Sequence, residues 1–304
     1  MRTTSTFLRA QVPHEALTEI EIVDHLDVGS WSLRIWLAWA AVPAVMLLAV
    51  LSGIVWLGEG VSWRAAYITM QRDWFFLINS RLSVWPDSLW ANLTLLGDAS
   101  ILMPFLFPLT IWYRRAWVAI LGAAMPAAIL SAAGKHIAAL PRPAAVLNKG
   151  DFIVIGDALT AHNSLPSGHS ITVFAGAIAI LATIFPHPRK WRHWLILITG
   201  LVLTAILCLS RVAVGAHWPL DLFVGAACGW MAGLAGAAIV RARENWQWMV
   251  RSDGCRVTGS IFFIWSALLV SRAMYEPIDN LVIWLSVTCG TFTSLWLLGV
   301  RPRV

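Results

Sequence analysis

An all-α bundle that crosses a membrane several times is the fold this sequence predicts, and three observations carry the prediction. Of the 304 residues, 59% are hydrophobic and only 12% charged, against roughly 45–50% and about 25% in an ordinary soluble domain. The apolar residues gather into runs at about 32–57, 90–112, 116–138, 169–185, 193–209, 219–240, 257–272 and 280–299, most of them close to the ~20 residues a span requires. Many of the 19 Trp, among them Trp31, Trp36, Trp56, Trp112, Trp117, Trp191 and Trp194, fall near the ends of those runs, where an interfacial belt would place them. Backbone groups in hydrocarbon must be satisfied within their own segment, so the runs are predicted as helices.

Taken in order, residues 1–30 are polar and carry Glu15, Glu19, Glu21, Asp24 and Asp27 ahead of the first apolar run. A cleavable signal would place its apolar core nearer the start, so the first span reads as an uncleaved anchor. The segment 14–26 is expected to form a short acidic amphipathic helix in a cytoplasmic tail. Residues 58–89 mix Trp63, Tyr67, Trp74, Phe75, Phe76 and Trp85 with Arg64, Arg72, Asp73 and Arg81. That mixture suits either a helix in the interface plane or a loop packed over the bundle. The fourth, fifth and seventh runs are the shortest. A polar stretch, 144–165, joins the third run to the fourth and is where a lid or headgroup-selecting loop would lie. The domain reading is a tail over 1–30, a six-helix core over 31–240 and a C-terminal helical hairpin over 241–304.

The net charge of +6 does not call for nucleic acid. The basic residues sit in short loops, more of them on the side of Arg114, Arg115, Lys190, Arg192, Arg241 and Arg256, which marks that side as cytoplasmic. The four cysteines, Cys208, Cys228, Cys255 and Cys289, form no C-x-x-C pair, and three of them read as small core residues. Neither a disulfide framework nor a zinc site is suggested.

Three segments place ionisable groups where an apolar chain has no ordinary use for them. Lys135 is followed after six residues by Arg142-Pro143. Pro141 and Pro143 bend the chain there, so an ammonium and a guanidinium fork can converge on one anion. Pro166-Ser167-Gly168-His169 opens the fourth span, with Asn163 or Ser164 available as its cap. A helix N-terminus offers free N–H groups to an anion, and Gly168 permits close backbone approach. The third segment, Ser210 to Asp221, holds Arg211, His217 and Asp221. Asp221 lies one helical turn beyond the imidazole it would orient. Asp151, Asp157 and His162 read as solvated loop residues, without a metal-ligand pattern.

Together these segments, K-x6-RP, PSGH and SR-x5-H-x3-D, resemble the signature of the type 2 phosphatidic acid phosphatase superfamily over roughly residues 90–240. The resemblance implies a membrane lipid phosphatase working through a phosphohistidine. In it His217 is the nucleophile, Asp221 holds its ring and His169 is the general acid. Lys135, Arg142, Arg211, Ser167 and the Gly168 amide bind the phosphoryl oxygens. No metal or other cofactor is expected, because three cations already face the phosphate. The implied substrate is a lipid carrying a terminal phosphate or diphosphate: phosphatidate, phosphatidylglycerol phosphate, a polyprenyl diphosphate or a phosphorylated lipid A. The site would face the periplasm or exterior of a bacterial inner membrane. A lipid-to-lipid phosphotransferase would use the same residues. Vanadate-dependent haloperoxidation shares the anion cage, but the many spans argue against it. A non-catalytic lipid-phosphate binder or transporter is the rival from another class, and full retention of nucleophile, carboxylate and acid argues against that.

Overall fold

The apolar runs expected from the sequence form helices, one of them broken, in the computed structural model, which describes residues 33–57, 60–148, 150–186, 188, 190–242, 252–275 and 280–299. The N-terminal tail, with its expected amphipathic helix, lies outside the described residues. The helices are α1 (Leu33–Leu57), α2 (Trp63–Leu82), α3 (Asp87–Leu95), α4 (Ala99–Leu106), α5 (Leu109–Trp112), α6 (Arg114–Ala138), α7 (Pro143–Val146), α8 (Gly168–Ile184), α9 (Trp191–Ala213), α10 (Pro219–Ala242), α11 (Ser252–Tyr275) and α12 (Leu281–Gly299). Six of them, α1, α6, α9, α10, α11 and α12, are long and apolar enough to cross a bilayer. This is an integral membrane protein.

Two spans depart from a straight crossing. The second is broken, with α3 and α4 bent by 75° about Leu96–Asp98. Asp98 caps the new helix by accepting from the Ser100 N–H at 2.9 Å, which supplies the break with its own start signal. The fourth, α8, has 17 residues and rises only about 26 Å, short of the ~30 Å hydrocarbon. The fifth and seventh runs are longer than the sequence suggested, at 23 and 24 residues, because their polar ends continue the helix past the apolar stretch.

The centre of the bundle is α10, small or apolar on every side between Asp221 and Arg241, as suits a helix with neighbours on most sides. Gly225, Gly229 and Gly233 face α8 so closely that a Cβ at Gly229 would lie 2.5 Å from the Ile171 carbonyl oxygen. In a bilayer such backbone approach, rather than hydrophobic exclusion, is what drives helices together. α6 packs on the other flank of α10, while α1 covers it from outside.

Of the segment 60–89, residues Trp63–Leu82 form a helix, α2, and that helix packs over the bundle. Its buried stripe of Ala66, Tyr67, Gln71, Phe75 and Asn79 follows the helical repeat and faces α1, α9 and α10. The polar stretch 144–165 is pinned to that stripe. Asn79 Nδ2 donates to the Ile153 carbonyl at 3.0 Å, and its Oδ1 accepts from the Ile153 N–H at 2.9 Å. Phe152 packs edge-on against Phe75, ring centroids 5.3 Å apart. Trp56, Trp112, Trp191 and Trp194 are exposed near helix ends as an interfacial belt requires. Trp117 is not: it is buried against Phe107 and Phe262, where a flat ring fills the α6–α11 gap.

Candidate active site

The first motif is built where α6 stops. Ala139 takes a left-handed conformation, φ 47°, and its N–H caps the Lys135 carbonyl at 3.1 Å. Pro141 and Pro143 then prevent the helix from resuming. Lys135 is left on the last turn, and Arg142 sits beyond the bend as the residue before α7. The chain comes back beside this bend: the Arg142 N–H donates to the Ala161 carbonyl at 3.2 Å, and the Ser164 N–H to the Leu140 carbonyl at 3.0 Å. Those two bonds close the base of the 144–165 excursion.

The second motif begins α8. Its cap is Ser167, whose Oγ accepts from the Ser170 N–H at 3.4 Å, and neither Asn163 nor Ser164 takes that place. Both are used elsewhere, because the chain between them and α8 turns toward α10. Asn163 Oδ1 accepts from Arg142 Nε at 2.9 Å. Ser164 Oγ donates to Asp221 Oδ2. The Ser167 N–H donates to the Asp221 carbonyl at 3.1 Å, which fastens the start of α8 to the start of α10. A Cβ at Gly168 would lie 3.3 Å from Lys135 Nζ, so the absent side chain is what leaves room beside the ammonium.

The third motif turns at Gly215, whose φ of 72° is open to glycine at little cost. A Cβ there would also meet the Ile153 carbonyl at 2.7 Å. The turn delivers His217 immediately ahead of α10, and Asp221 lies on that helix's first turn. His217 Nδ1 is 3.2 Å from Asp221 Oδ2, and Nε2 is 3.2 Å from Arg142 Nη1. A guanidinium has only donors, so Nε2 is the acceptor and the ring proton sits on Nδ1, donating to Asp221. Burial holds the ring well below the ordinary 6.5, helped by the Arg211, Arg142 and Lys135 charges. The Nε2 lone pair therefore stays free of a proton at neutral pH and points at a cation.

Asp221 is fully buried and its carboxylate is satisfied from several sides. The Tyr67 hydroxyl donates to Oδ1 at 2.9 Å. The Trp218 N–H donates to Oδ2 at 3.0 Å, alongside Ser164. Burial and the Asp221 charge together push the Tyr67 hydroxyl well above 10, so it serves only as a donor. The Trp218 indole donates to the Pro141 carbonyl at 2.9 Å, tying the third motif to the first.

The third cation, Arg211, is buried on the last turn of α9. Nη1 donates to Thr94 Oγ1 on α3, while Nε, also buried, has no protein partner among the described residues. A guanidinium half-satisfied by protein retains donors for an anion. His169, on the first turn of α8, packs against Gly97 in the broken span. Thus Lys135, Arg142, Ser167, Gly168, His169, Arg211, His217 and Asp221 line one place. Around them stand residues that sequence reasoning did not single out for the site: Tyr67, Thr94, Gly97, Asn163 and Ser164. Ser164 carried a signal, since it lies next to PSGH, but it pointed to helix capping. Tyr67 had none beyond an aromatic among aromatics.

One match spans all three motifs: residues 100–245 match the PAP2 superfamily. Among curated relatives, an undecaprenyl-diphosphatase from Sulfolobus acidocaldarius is 32% identical over 99 residues, 33% of this chain and 43% of that protein. The chain thus spans less than half the length of that relative. The crystal structure of Aquifex aeolicus LpxE aligns at 27% identity over 56% of this chain and 95% of that one, with a TM-score of 0.46. The PAP2 segment takes in α4 to α10 and leaves α1, α2, α3 and most of the C-terminal hairpin outside it.

Proposed function

We propose that this protein is an integral membrane phosphatase that removes a terminal phosphate from a lipid phosphate or diphosphate through a phosphohistidine. The single observation that carries the reading is the His217 ring, with Nδ1 bound to a buried carboxylate and Nε2 unprotonated against Arg142. Lys135, Arg142 and Arg211 hold the equatorial oxygens, with the Gly168 amide and, less directly, Ser167, whose hydroxyl caps α8. As the phosphate enters, Arg142 Nη1 passes from Nε2 to an equatorial oxygen, and the freed lone pair attacks phosphorus in line while the phosphorus–oxygen bond to the leaving group breaks. His169 gives that oxygen its proton. Asp221 stabilises the ring while it carries the phosphoryl group. A water, deprotonated by His169, then attacks the phosphohistidine, releasing inorganic phosphate and returning Nε2 to its starting form.

Three side-chain cations supply the charge that a metal ion would otherwise bring, so turnover should survive excess EDTA. The positive-inside bias puts the motif face outside the cytoplasm. That placement, together with a relative named undecaprenyl-diphosphatase, favours a polyprenyl diphosphate as substrate. The deciding experiment incubates purified protein with 32P-labelled undecaprenyl diphosphate, phosphatidate, phosphatidylglycerol phosphate and phosphorylated lipid A in EDTA. Release of phosphate from one lipid alone, with an acid-labile phosphoprotein trapped in wild type and absent in His217→Ala, is the expected result. Transfer of label to a second lipid without release would make the protein a phosphotransferase. Undiminished turnover in His217→Ala would sink the assignment.

A further inference from the structure

The site leans on a part of the chain that the PAP2 match omits. At the break in the second span, Thr94 accepts from Arg211 and Gly97 backs His169, with a Cβ at Gly97 only 2.5 Å from the His169 Cδ2 atom. The next residue is Asp98. Its carboxylate lies within electrostatic reach of both Arg211 and His169. A carboxylate in that place works against phosphate binding, because it repels the anion and competes for the guanidinium.

The C-terminal hairpin answers that charge. Arg272 on α11 places Nη1 2.8 Å from Asp98 Oδ2 and 2.8 Å from Ser100 Oγ. The hairpin grips the same broken span at two further points: the Trp265 indole donates to the Ser100 carbonyl at 2.9 Å, and the Val282 N–H donates to Asn92 Oδ1 at 3.0 Å. Arg272 therefore sits where it can cancel the one carboxylate at the break and keep the break seated.

We propose that Arg272 is a positioning residue for the phosphate site: by neutralising Asp98 it leaves Arg211 committed to the substrate's phosphate. The proposal rests on the phosphatase reading for its kinetic consequence, and on inorganic phosphate alone for its binding consequence. It separates charge compensation from mere bracing, since the two predict opposite behaviour for a double variant. If the charge matters, deleting Asp98 repairs the loss of Arg272. If only the brace matters, it does not.

The test uses the full-length protein in detergent, with undecaprenyl diphosphate turnover and inorganic phosphate binding, the latter followed by thermal stabilisation. Arg272→Met should raise KM and weaken phosphate binding about tenfold, the effect of one uncompensated charge near an anion site, with kcat little changed. Adding Asp98→Asn should restore both to near wild type, and asparagine still caps α4. Unchanged KM and phosphate affinity in Arg272→Met would overturn the proposal. So would a double variant as impaired as the single one. Should Arg272→Met fail to fold, Asp98→Asn alone decides: phosphate affinity equal to or tighter than wild type supports the proposal, and tenfold weaker affinity overturns it. If wild type hydrolyses none of the lipids, the phosphatase reading fails and the phosphate arm still judges Arg272.

Discussion

The two imidazoles of the site are held in opposite ways. His217 is 1% exposed and fixed at both ring nitrogens, by Asp221 on one side and Arg142 on the other. His169 is backed by Gly97, and among the described residues its ring has no hydrogen-bond partner. The difference suits the division of labour proposed for the two rings. An attacking nitrogen needs one tautomer and one direction, which two fixed partners enforce. A proton donor must meet a leaving oxygen that the substrate brings, so its ring has to be left unengaged until then. The same contrast extends to the elements: α10 is clamped through its glycines to α8, while the span behind His169 is broken.

The largest expected effects test that division directly. His217→Ala should cut kcat by about 10⁴-fold or more, whatever the leaving group, as removal of a nucleophile does. His169→Ala should cost about 10²–10⁴-fold on a lipid monophosphate such as phosphatidate, whose leaving group is an alkoxide, and far less on p-nitrophenyl phosphate, whose leaving group needs no proton. Equal losses on both substrates would erase the distinction between the rings. Steady-state rates for both variants on both substrates settle it.

The pH profile sharpens it. Protonation of Nε2 would remove the nucleophile's lone pair, and burial with the Arg211, Arg142 and Lys135 charges keeps that proton off to well below 6.5. On the acid side kcat/KM should therefore stay level as pH falls through 6.5 and decline only further down. Stability should behave differently. The unfolded ring accepts a proton near 6.5 while the native one refuses it, so the fold weakens progressively as pH drops below that value. Thermal unfolding and activity measured over the same buffers would separate the two. An acid limb at or above 6.5 would contradict the electrostatic account of His217.

The smallest effect concerns what holds Asp221. Tyr67→Phe removes one donor to a buried carboxylate that keeps Ser164 and the Trp218 amide, so kcat/KM should fall about tenfold. KM and inorganic phosphate affinity should stay near wild type, because the phosphate cations are untouched. A variant that loses phosphate binding as well would place Tyr67 in the structural core instead of behind the catalytic ring.

The sequence by itself determined the membrane-spanning helical class and the segments that meet at the site. Hydrocarbon forces long apolar runs into helices, and a lysine, arginines and histidines among them betray a purpose. It also announced the local geometry of His217 and Asp221, since four residues along one helix entry is a distance that secondary structure fixes. What it left open is the surround. The Tyr67 bond to Asp221 spans 154 positions, and the Arg211 bond to Thr94 spans 117. No periodicity reaches so far, because such partners are chosen by which helix faces which. The break at Leu96–Asp98 and the exclusion of Ser164 from capping are of the same kind. Only the packing of α2, α3 and the C-terminal hairpin around the motifs decided them, through glycine-close contacts and buried groups that had to find donors.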